Sequence, residues 1–157
     1  RGALSSTRPG SAEGLSALRA ARRALTPGLQ VLEGDATHGY LAVPRSRLAE
    51  FASEAERIAR ETGAEISLAG HVGDGNLHPT VVYDGSDPVA TEAAHRAAAE
   101  LLRLAQSLGG TVAGEHGVGT LKLDDVDGEL SARLRGLQRE IKRVFDPRGI
   151  LNPGRKL

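Results

Sequence analysis

The segment that most constrains the fold is GHVGDGNLHPT, at residues 70–80. Its Asp-Gly dipeptide favours a tight two-residue turn, because aspartate and glycine tolerate the backbone angles that such turns require. Extended, apolar-rich runs flank the turn, with EISLAGHV before it and NLHPTVVY after it. The pattern predicts a β-hairpin, and a two-residue loop would place His71 directly opposite His78.

Two opposed histidines suggest a metal site. Opposed residues share a sheet face with Cβ atoms about 4.5–5.5 Å apart, and zinc–nitrogen bonds of about 2.0–2.1 Å would let both imidazoles bind one ion. The chain has no cysteine, so any metal must rest on histidine, carboxylate and water ligands. The hairpin alone leaves a second interpretation open, in which His71 is exposed and His78 is a packed polar residue.

A second polar cluster follows in TVAGEHGVG, at residues 111–119. Glu115 and His116 stand between glycines, which let the backbone bend and a ligand approach closely. With the two hairpin histidines, Glu115 would complete a His-His-Glu set with an open position, as in catalytic metal sites, and His116 is left over. The glycines also resemble a phosphate loop superficially, but a glutamate there would repel the anion and the P-loop lysine is missing.

Helical and extended signals alternate along the chain. Helices are predicted at 11–25, 45–61, 88–108 and 128–145, and extended segments at 37–43, 65–72, 76–83 and 111–116. Pro27 is expected to close the first helix and Gly63 the second. This order predicts an α+β fold, a mostly antiparallel sheet with helices packed on one face.

Composition limits the domain count and the partners. The 157 residues, 39% of them hydrophobic, suffice for one globular domain, and residues 1–10 are predicted to be a flexible tail. The 20 basic and 20 acidic residues cancel, so no footprint for nucleic acid or an anionic membrane is present. No apolar run reaches the about 20 residues of a membrane span, and no signal-peptide pattern is visible, which favours a cytoplasmic protein.

Three motifs, GHVGDGNLHP, GGTVAGEHGVGTLK and FDPRGILNPGR, occur in this order. Together they resemble the C-terminal domain of FAD-linked oxidases and dehydrogenases in the vanillyl-alcohol oxidase superfamily, the group with glycolate oxidase, D-lactate dehydrogenase and D-2-hydroxyglutarate dehydrogenase. The resemblance implies a ferredoxin-like cap domain of a flavoenzyme that oxidises 2-hydroxy acids by hydride transfer to FAD. It also implies an upstream FAD-binding domain or subunit, without which this chain, as a fragment or split subunit, would be inactive.

The resemblance also implies a metal centre with a separate base. His71, His78 and Glu115 would hold a divalent metal, usually zinc, and His116 would be the catalytic base. The chemistry is consistent, because a Lewis-acid metal lowers the pKa of a substrate hydroxyl and a neutral imidazole can then accept the proton.

Three more residues gain roles from the resemblance. Arg22 would bind the substrate carboxylate, for which a guanidinium fork is well suited. Thr26, one helical turn further on, would assist it, and Asn152 in LNPG would contact the cofactor. The alternatives are a solvated basic helix face for Arg22 and a simple turn after the last helix for Asn152.

The chain departs from the family pattern at several positions. Tyr40 stands where members commonly have an acidic residue, and Thr80 stands where some have a substrate-contacting asparagine. In the first helix, Arg19 replaces a frequent tryptophan. Two other functions remain open, a zinc-dependent hydrolase that uses the same ligands and a non-catalytic α+β module, and so does assembly into a homo-oligomer.

Overall fold

The computed structural model describes residues 8–30, 34–120 and 122–155, except the side chains of residues 25–27, 29 and 30. The chain divides into two compact units, one ending at Gly34 and the other beginning at Asp35. Of the predicted tail, residues 1–7 lie outside the described residues, and residues 8–10 are exposed without regular structure.

The described part of the first unit is dominated by one helix, α1 (Ala12–Gln30). The prediction that Pro27 ends this helix was wrong, because α1 continues for three more residues. Proline removes one intrahelical hydrogen bond, but its φ is itself helical, so a helix can pass through it. Leu15 and Leu18 of α1 are 40% and 47% exposed.

The second unit is an α+β layer. Its strands are β1 (Asp35–His38), β2 (Leu41–Ala42), β3 (Glu65–His71) and β4 (Asn76–Tyr83), and its helices are α2 (Leu48–Thr62), α3 (Pro88–Ser107), α4 (Leu123–Glu129) and α5 (Ala132–Phe145). Strand β4 is central and antiparallel to all its neighbours, with β3 along one edge and β1 followed by β2 along the other. The predicted α+β class is confirmed.

Helices α2 and α3 pack against one face of this sheet. Leu77 and Val81 of β4 point into that core, and side chains alternate between faces along a strand. Asn76, His78 and Thr80 therefore lie on the opposite face. The core cluster consists mainly of Leu41, Val43, Phe51, Ala55, Ile58, Leu77, Val81, Ala94, Ala97, Leu101 and Ala105.

The hairpin of β3 and β4 has the predicted position but a different register. The prediction that His71 faces His78 was wrong, because His71 pairs with Asn76 and His78 pairs with Ala69. The partner of His71 thus moves by two residues. A shift of two keeps every side chain on its face, so the two histidines remain on one face of the sheet as diagonal neighbours.

The longer turn explains the register. Four residues, 72–75, connect the strands, and Gly75 adopts a φ of 85°. A Cβ at this position would lie 2.0 Å from the Val43 carbonyl oxygen, which only glycine avoids. Contact with the segment after β2 therefore sets the turn, rather than the Asp-Gly dipeptide alone.

Other predicted boundaries also change. The strand predicted at 37–43 is interrupted between β1 and β2, where the Gly39 amide donates to the Pro79 carbonyl at 2.7 Å. The helix predicted from residue 45 begins with a 3₁₀ turn before α2. The helix predicted at 128–145 begins later, as α5, because Ser131 caps it by accepting a hydrogen bond from the Leu134 amide at 3.3 Å, and residues 128–129 end the separate helix α4.

No helix of the described ranges 8–30, 34–120 and 122–155 is long and apolar enough to cross a membrane.

Candidate metal centre

Glu115 and His116 lie in a loop, so the prediction of a strand at 111–116 was wrong. Within this segment, Thr111 alone pairs as in a sheet, exchanging hydrogen bonds of 2.8 and 2.9 Å with Ala42. The chain then turns at Gly114, which has a φ of 40°. A Cβ there would lie only 3.1 Å from backbone atoms of Tyr40 and Leu41, where β2 begins. The close approach of glycine therefore brings the two polar residues to the sheet.

The Glu115 carboxylate faces three imidazoles. Its Oε1 atom lies 3.8 Å from His71 Nε2, 3.5 Å from His78 Nε2 and 3.2 Å from His116 Nε2. The rings of His71 and His78 are almost perpendicular, at 84°, with centroids 5.0 Å apart. One ligand atom from each of His71, His78 and Glu115 lies within 4.8 Å of the others. The structure thus brings the three predicted ligands together.

This donor set fits a divalent ion such as zinc. Four tetrahedral ligands at about 2.0–2.1 Å from zinc stand roughly 3.3–3.4 Å from one another. The distances of 3.5 and 3.8 Å from Glu115 to the two strand histidines need to shorten by only tenths of an ångström. Two imidazoles and one carboxylate are a common zinc set that leaves a position for an exchangeable ligand. Glu115 is 46% exposed, so such a ligand could enter from solvent.

His116 lies at the margin of this cluster. Its side chain is 54% exposed, and its ring centroid is 4.0 Å from that of Tyr40, tilted by 43°. The Tyr40 ring also contacts His78 edge-on, with centroids 5.4 Å apart. In the sequence Tyr40 stands out only as a departure from the family, because nothing local shows that the bend between β1 and β2 faces the hairpin.

A half-buried lysine lies close to the same bend. Lys122 donates hydrogen bonds from Nζ to the carbonyl oxygens of Tyr40 and, at 2.7 Å, Val112. Burial lowers the pKa of Lys122, and the charge of Asp125 opposes that shift. The motif GTLK contains this residue, but the sequence could not indicate its backbone partners.

The other three predicted site residues lie on other segments of the chain. Arg22 is exposed on α1 in the first unit, and the side chain of Thr26 lies outside the described residues. Asn152 is exposed in the segment after α5 with a φ of 48°, a left-handed conformation that asparagine tolerates. The proposed roles of these three residues stay predictions.

Comparison with known proteins identifies similar sequences along most of the chain. Residues 3–155 match the family described as FAD linked oxidases, C-terminal domain. The chain is 38% identical over 139 residues to glycolate oxidase subunit GlcD of Bacillus subtilis, covering 88% of this chain and 30% of that protein. It is 42% identical over 114 residues to D-lactate dehydrogenase of Archaeoglobus fulgidus, covering 72% of this chain and 25% of that protein.

A relative named as mitochondrial D-lactate dehydrogenase [cytochrome] from Arabidopsis thaliana is 33% identical over 132 residues, covering 84% of this chain and 22% of that protein. This chain therefore spans less than a third of the length of these relatives. Among solved structures, 4-ethylphenol oxidase from Gulosibacter chungangensis, in complex with isoeugenol, aligns with a TM-score of 0.61 at 22% identity. The alignment covers 96% of this chain and 31% of that one, a likeness of fold.

Proposed function

Since the chain belongs to the family of FAD-linked oxidase C-terminal domains, we propose that it is the substrate-binding and metal-binding cap of a flavin-dependent 2-hydroxy acid dehydrogenase or oxidase. The observation that carries the proposal is the cluster of His71, His78 and Glu115, with His116 beside it. The named relatives act on glycolate and D-lactate, both of which have a hydroxyl next to a carboxylate.

In this proposal, different residues of the chain bind the metal and accept the proton of the substrate hydroxyl group. His71, His78 and Glu115 would hold the divalent metal and so fix where the hydroxyl oxygen of the substrate sits. In the complete enzyme, the metal would supply Lewis acidity and FAD would supply the hydride acceptor. His116, as a neutral imidazole, would accept the hydroxyl proton, which leaves a 2-oxo acid as product. The 54% exposure of its side chain gives the substrate access to the base.

Three further residues belong to the proposal through their match to the family motifs. Arg22 would bind the substrate carboxylate, with Thr26 assisting, because a guanidinium donates two parallel hydrogen bonds to such a group. Asn152 would contact the flavin. An FAD-binding domain or subunit is the partner that this arrangement requires. A cytoplasmic location is also part of the proposal, although the relative from Arabidopsis thaliana is named as mitochondrial.

Anaerobic flavin reduction tests this function. The polypeptide or complex that joins this chain to its FAD-binding domain is mixed with glycolate, D-lactate or D-2-hydroxyglutarate, and flavin absorbance is followed. At least one of these acids should bleach the flavin and yield its 2-oxo acid. The His71→Ala protein should do so far more slowly, whereas the matched His95→Ala protein, altered at an exposed position of α3, should keep the parental rate.

Two results would point elsewhere. Hydrolysis of an ester or amide by the zinc-loaded chain, without flavin reduction by any of the three acids, would identify a zinc-dependent hydrolase. Failure of the chain to bind metal, together with an unaltered flavin, would favour a non-catalytic module.

A further inference from the structure

Lys122 connects two segments that are far apart in the sequence. Its Nζ atom donates to the Val112 carbonyl, in the loop that carries Glu115 and His116, at 2.7 Å. The same atom donates to the Tyr40 carbonyl, in the bend between β1 and β2, and lies 5.8 Å from the centroid of the Tyr40 ring. One side chain thus spans the loop and the bend.

The environment of Lys122 makes these two hydrogen bonds strong. A half-buried ammonium group is unfavourable unless hydrogen bonds replace its water, and bonds from a charged donor are about twice as strong as neutral ones. The lowered pKa of Lys122, caused first by burial, agrees with a cation that has given up solvent. Since both acceptors are backbone atoms, Lys122 restrains the path of the chain itself.

The loop is anchored where Lys122 contacts it. The Val112 amide donates to Glu129 Oε2 at 2.9 Å, and the Val112 carbonyl accepts from Lys122 Nζ. Both backbone polar groups of Val112 are therefore hydrogen-bonded to side chains. Glu115 follows three residues later. In the bend that Lys122 also contacts, the centroid of the Tyr40 ring lies 4.0 Å from that of the His116 ring.

We propose that Lys122 is a positioning residue, which holds the loop of Glu115 and His116 against the bend of Tyr40 and so keeps the carboxylate and the base in place beside His71 and His78. The inference rests on the proposed metal centre for its functional effect. The positioning itself concerns the metal-free chain and can be measured without metal.

The test compares two variants of the 157-residue chain that lose the same charged group. Lys122→Met removes the hydrogen bonds to the Tyr40 and Val112 carbonyl groups. The control, Lys142→Met, instead removes the ion pair between Lys142 and Asp146 at the end of α5. Proton NMR of the metal-free proteins reports the ring contact of Tyr40 with His116. The contact of Tyr83 with His95, with centroids 6.0 Å apart, serves as an internal reference.

Lys122→Met should lose the nuclear Overhauser effect between Tyr40 and His116 and keep the reference signal. The control should keep both signals even where its thermal stability falls. Lys122→Gln, which retains an uncharged N–H donor group, should give an intermediate result and replaces Lys122→Met if that protein fails to fold. Parental Tyr40–His116 signals in a folded Lys122 variant would overturn the proposal.

Zinc affinity, measured by chelator competition, then tests the functional effect. Lys122→Met should weaken zinc binding by about 10–100-fold, as expected for a residue that orients a ligand. The control, Lys142→Met, should keep the parental zinc affinity, since its ion pair with Asp146 is not part of the connection between the loop and the bend. Equal zinc affinity of the parent and Lys122→Met proteins would show that Lys122 does not position the Glu115 carboxylate for zinc. If the parent binds no zinc but the ring contact depends on Lys122, the metal centre fails and the positioning stands.

Discussion

At the residue scale, one carboxylate oxygen organises the site. Glu115 Oε1 faces two histidines from regular strands and a third from its own loop. His71 and His78 are fixed by the backbone pairing of β3 with β4, whereas His116 has the Tyr40 ring and Glu115 as neighbours. The strand histidines are therefore suited to ligation, and the more exposed loop histidine is suited to proton transfer.

Replacing His116 should separate turnover from metal binding. In the complete enzyme, His116→Ala should lower kcat by roughly 10²–10⁴-fold, the usual effect of losing a positioned general base. Zinc content should stay at the parental level, because His71, His78 and Glu115 remain. The measurement is kcat together with zinc content and thermal stability on one preparation.

Glu115→Gln is the matched comparison, since it alters the neighbouring residue with little change in shape. It should lose zinc as well as activity, because a neutral amide is a poorer ligand than a carboxylate. Near-parental turnover of a folded, metal-loaded His116→Ala protein would remove this residue from the mechanism.

At the element scale, the sequence predicts what local chemistry determines. Turn residues between extended runs predicted the β3–β4 hairpin, and the period of two kept His71 and His78 on one face despite the wrong register. The loop of Glu115 was mistaken for a strand because Thr111 and Val112 favour strands locally. Its path depends on Gly114 packing against the β1–β2 bend and on the hydrogen bonds of Lys122, contacts that are distant in sequence.

Changing the hairpin turn should disturb the ligands through the backbone. Gly75→Ala places a Cβ 2.0 Å from the Val43 carbonyl oxygen at a positive φ. The conformation alone costs about 1–2 kcal/mol, so urea denaturation should show at least that loss in the free energy of unfolding, and zinc affinity should fall.

Gly73→Ala is the control for this turn, because nothing lies within 4 Å of a Cβ there. Its free energy of unfolding should stay within about 0.5 kcal/mol of the parent. Equal stability of the Gly75 and Gly73 variants would show that the turn does not depend on contact with Val43.

The segment after α5 should make stability depend on pH. Buried Asp146 accepts hydrogen bonds from Lys142 Nζ and from the amides of Ile150 and Leu151, the latter two at 3.0 Å. The bond from Lys142, above all, lowers the pKa of Asp146. A carboxyl whose pKa is lower in the folded state stabilises fully above its unfolded pKa, about 3.9, and loses this contribution as pH falls through the folded value.

Asp146→Asn should therefore have a lower free energy of unfolding than the parent at pH 7, and the difference should shrink as pH falls below about 4. Urea denaturation of both proteins between about pH 7 and pH 3 measures it. A difference that stays constant across this range would mean that the charge of Asp146 does not contribute.

At the scale of the whole molecule, the chain corresponds to one part of its longer relatives. It spans 30% of the glycolate oxidase subunit from Bacillus subtilis, and its sequence could identify the family through three ordered motifs. The α+β class followed from the order of its helical and extended segments. Any placement of Arg22, Thr26 and Asn152 against a substrate depends on contacts that are distant in sequence, so no local pattern determines it.

The isolated chain should bind no stoichiometric flavin. Purified and incubated with FAD, it should show no flavin absorbance after gel filtration and no oxidation of 2-hydroxy acids, and both should appear on addition of the FAD-binding domain. Stable yellow flavin on this chain alone would show that it holds the cofactor without a partner.

The most direct test of the metal centre is a zinc titration of the metal-free chain by calorimetry, with parent, His71→Ala, Glu115→Gln and His95→Ala proteins compared. One zinc ion should bind each parental and each His95→Ala chain, whereas His71→Ala and Glu115→Gln should lose that site while remaining folded. No zinc binding by the parent, or full binding by His71→Ala, would contradict the assignment of His71, His78 and Glu115 as its ligands.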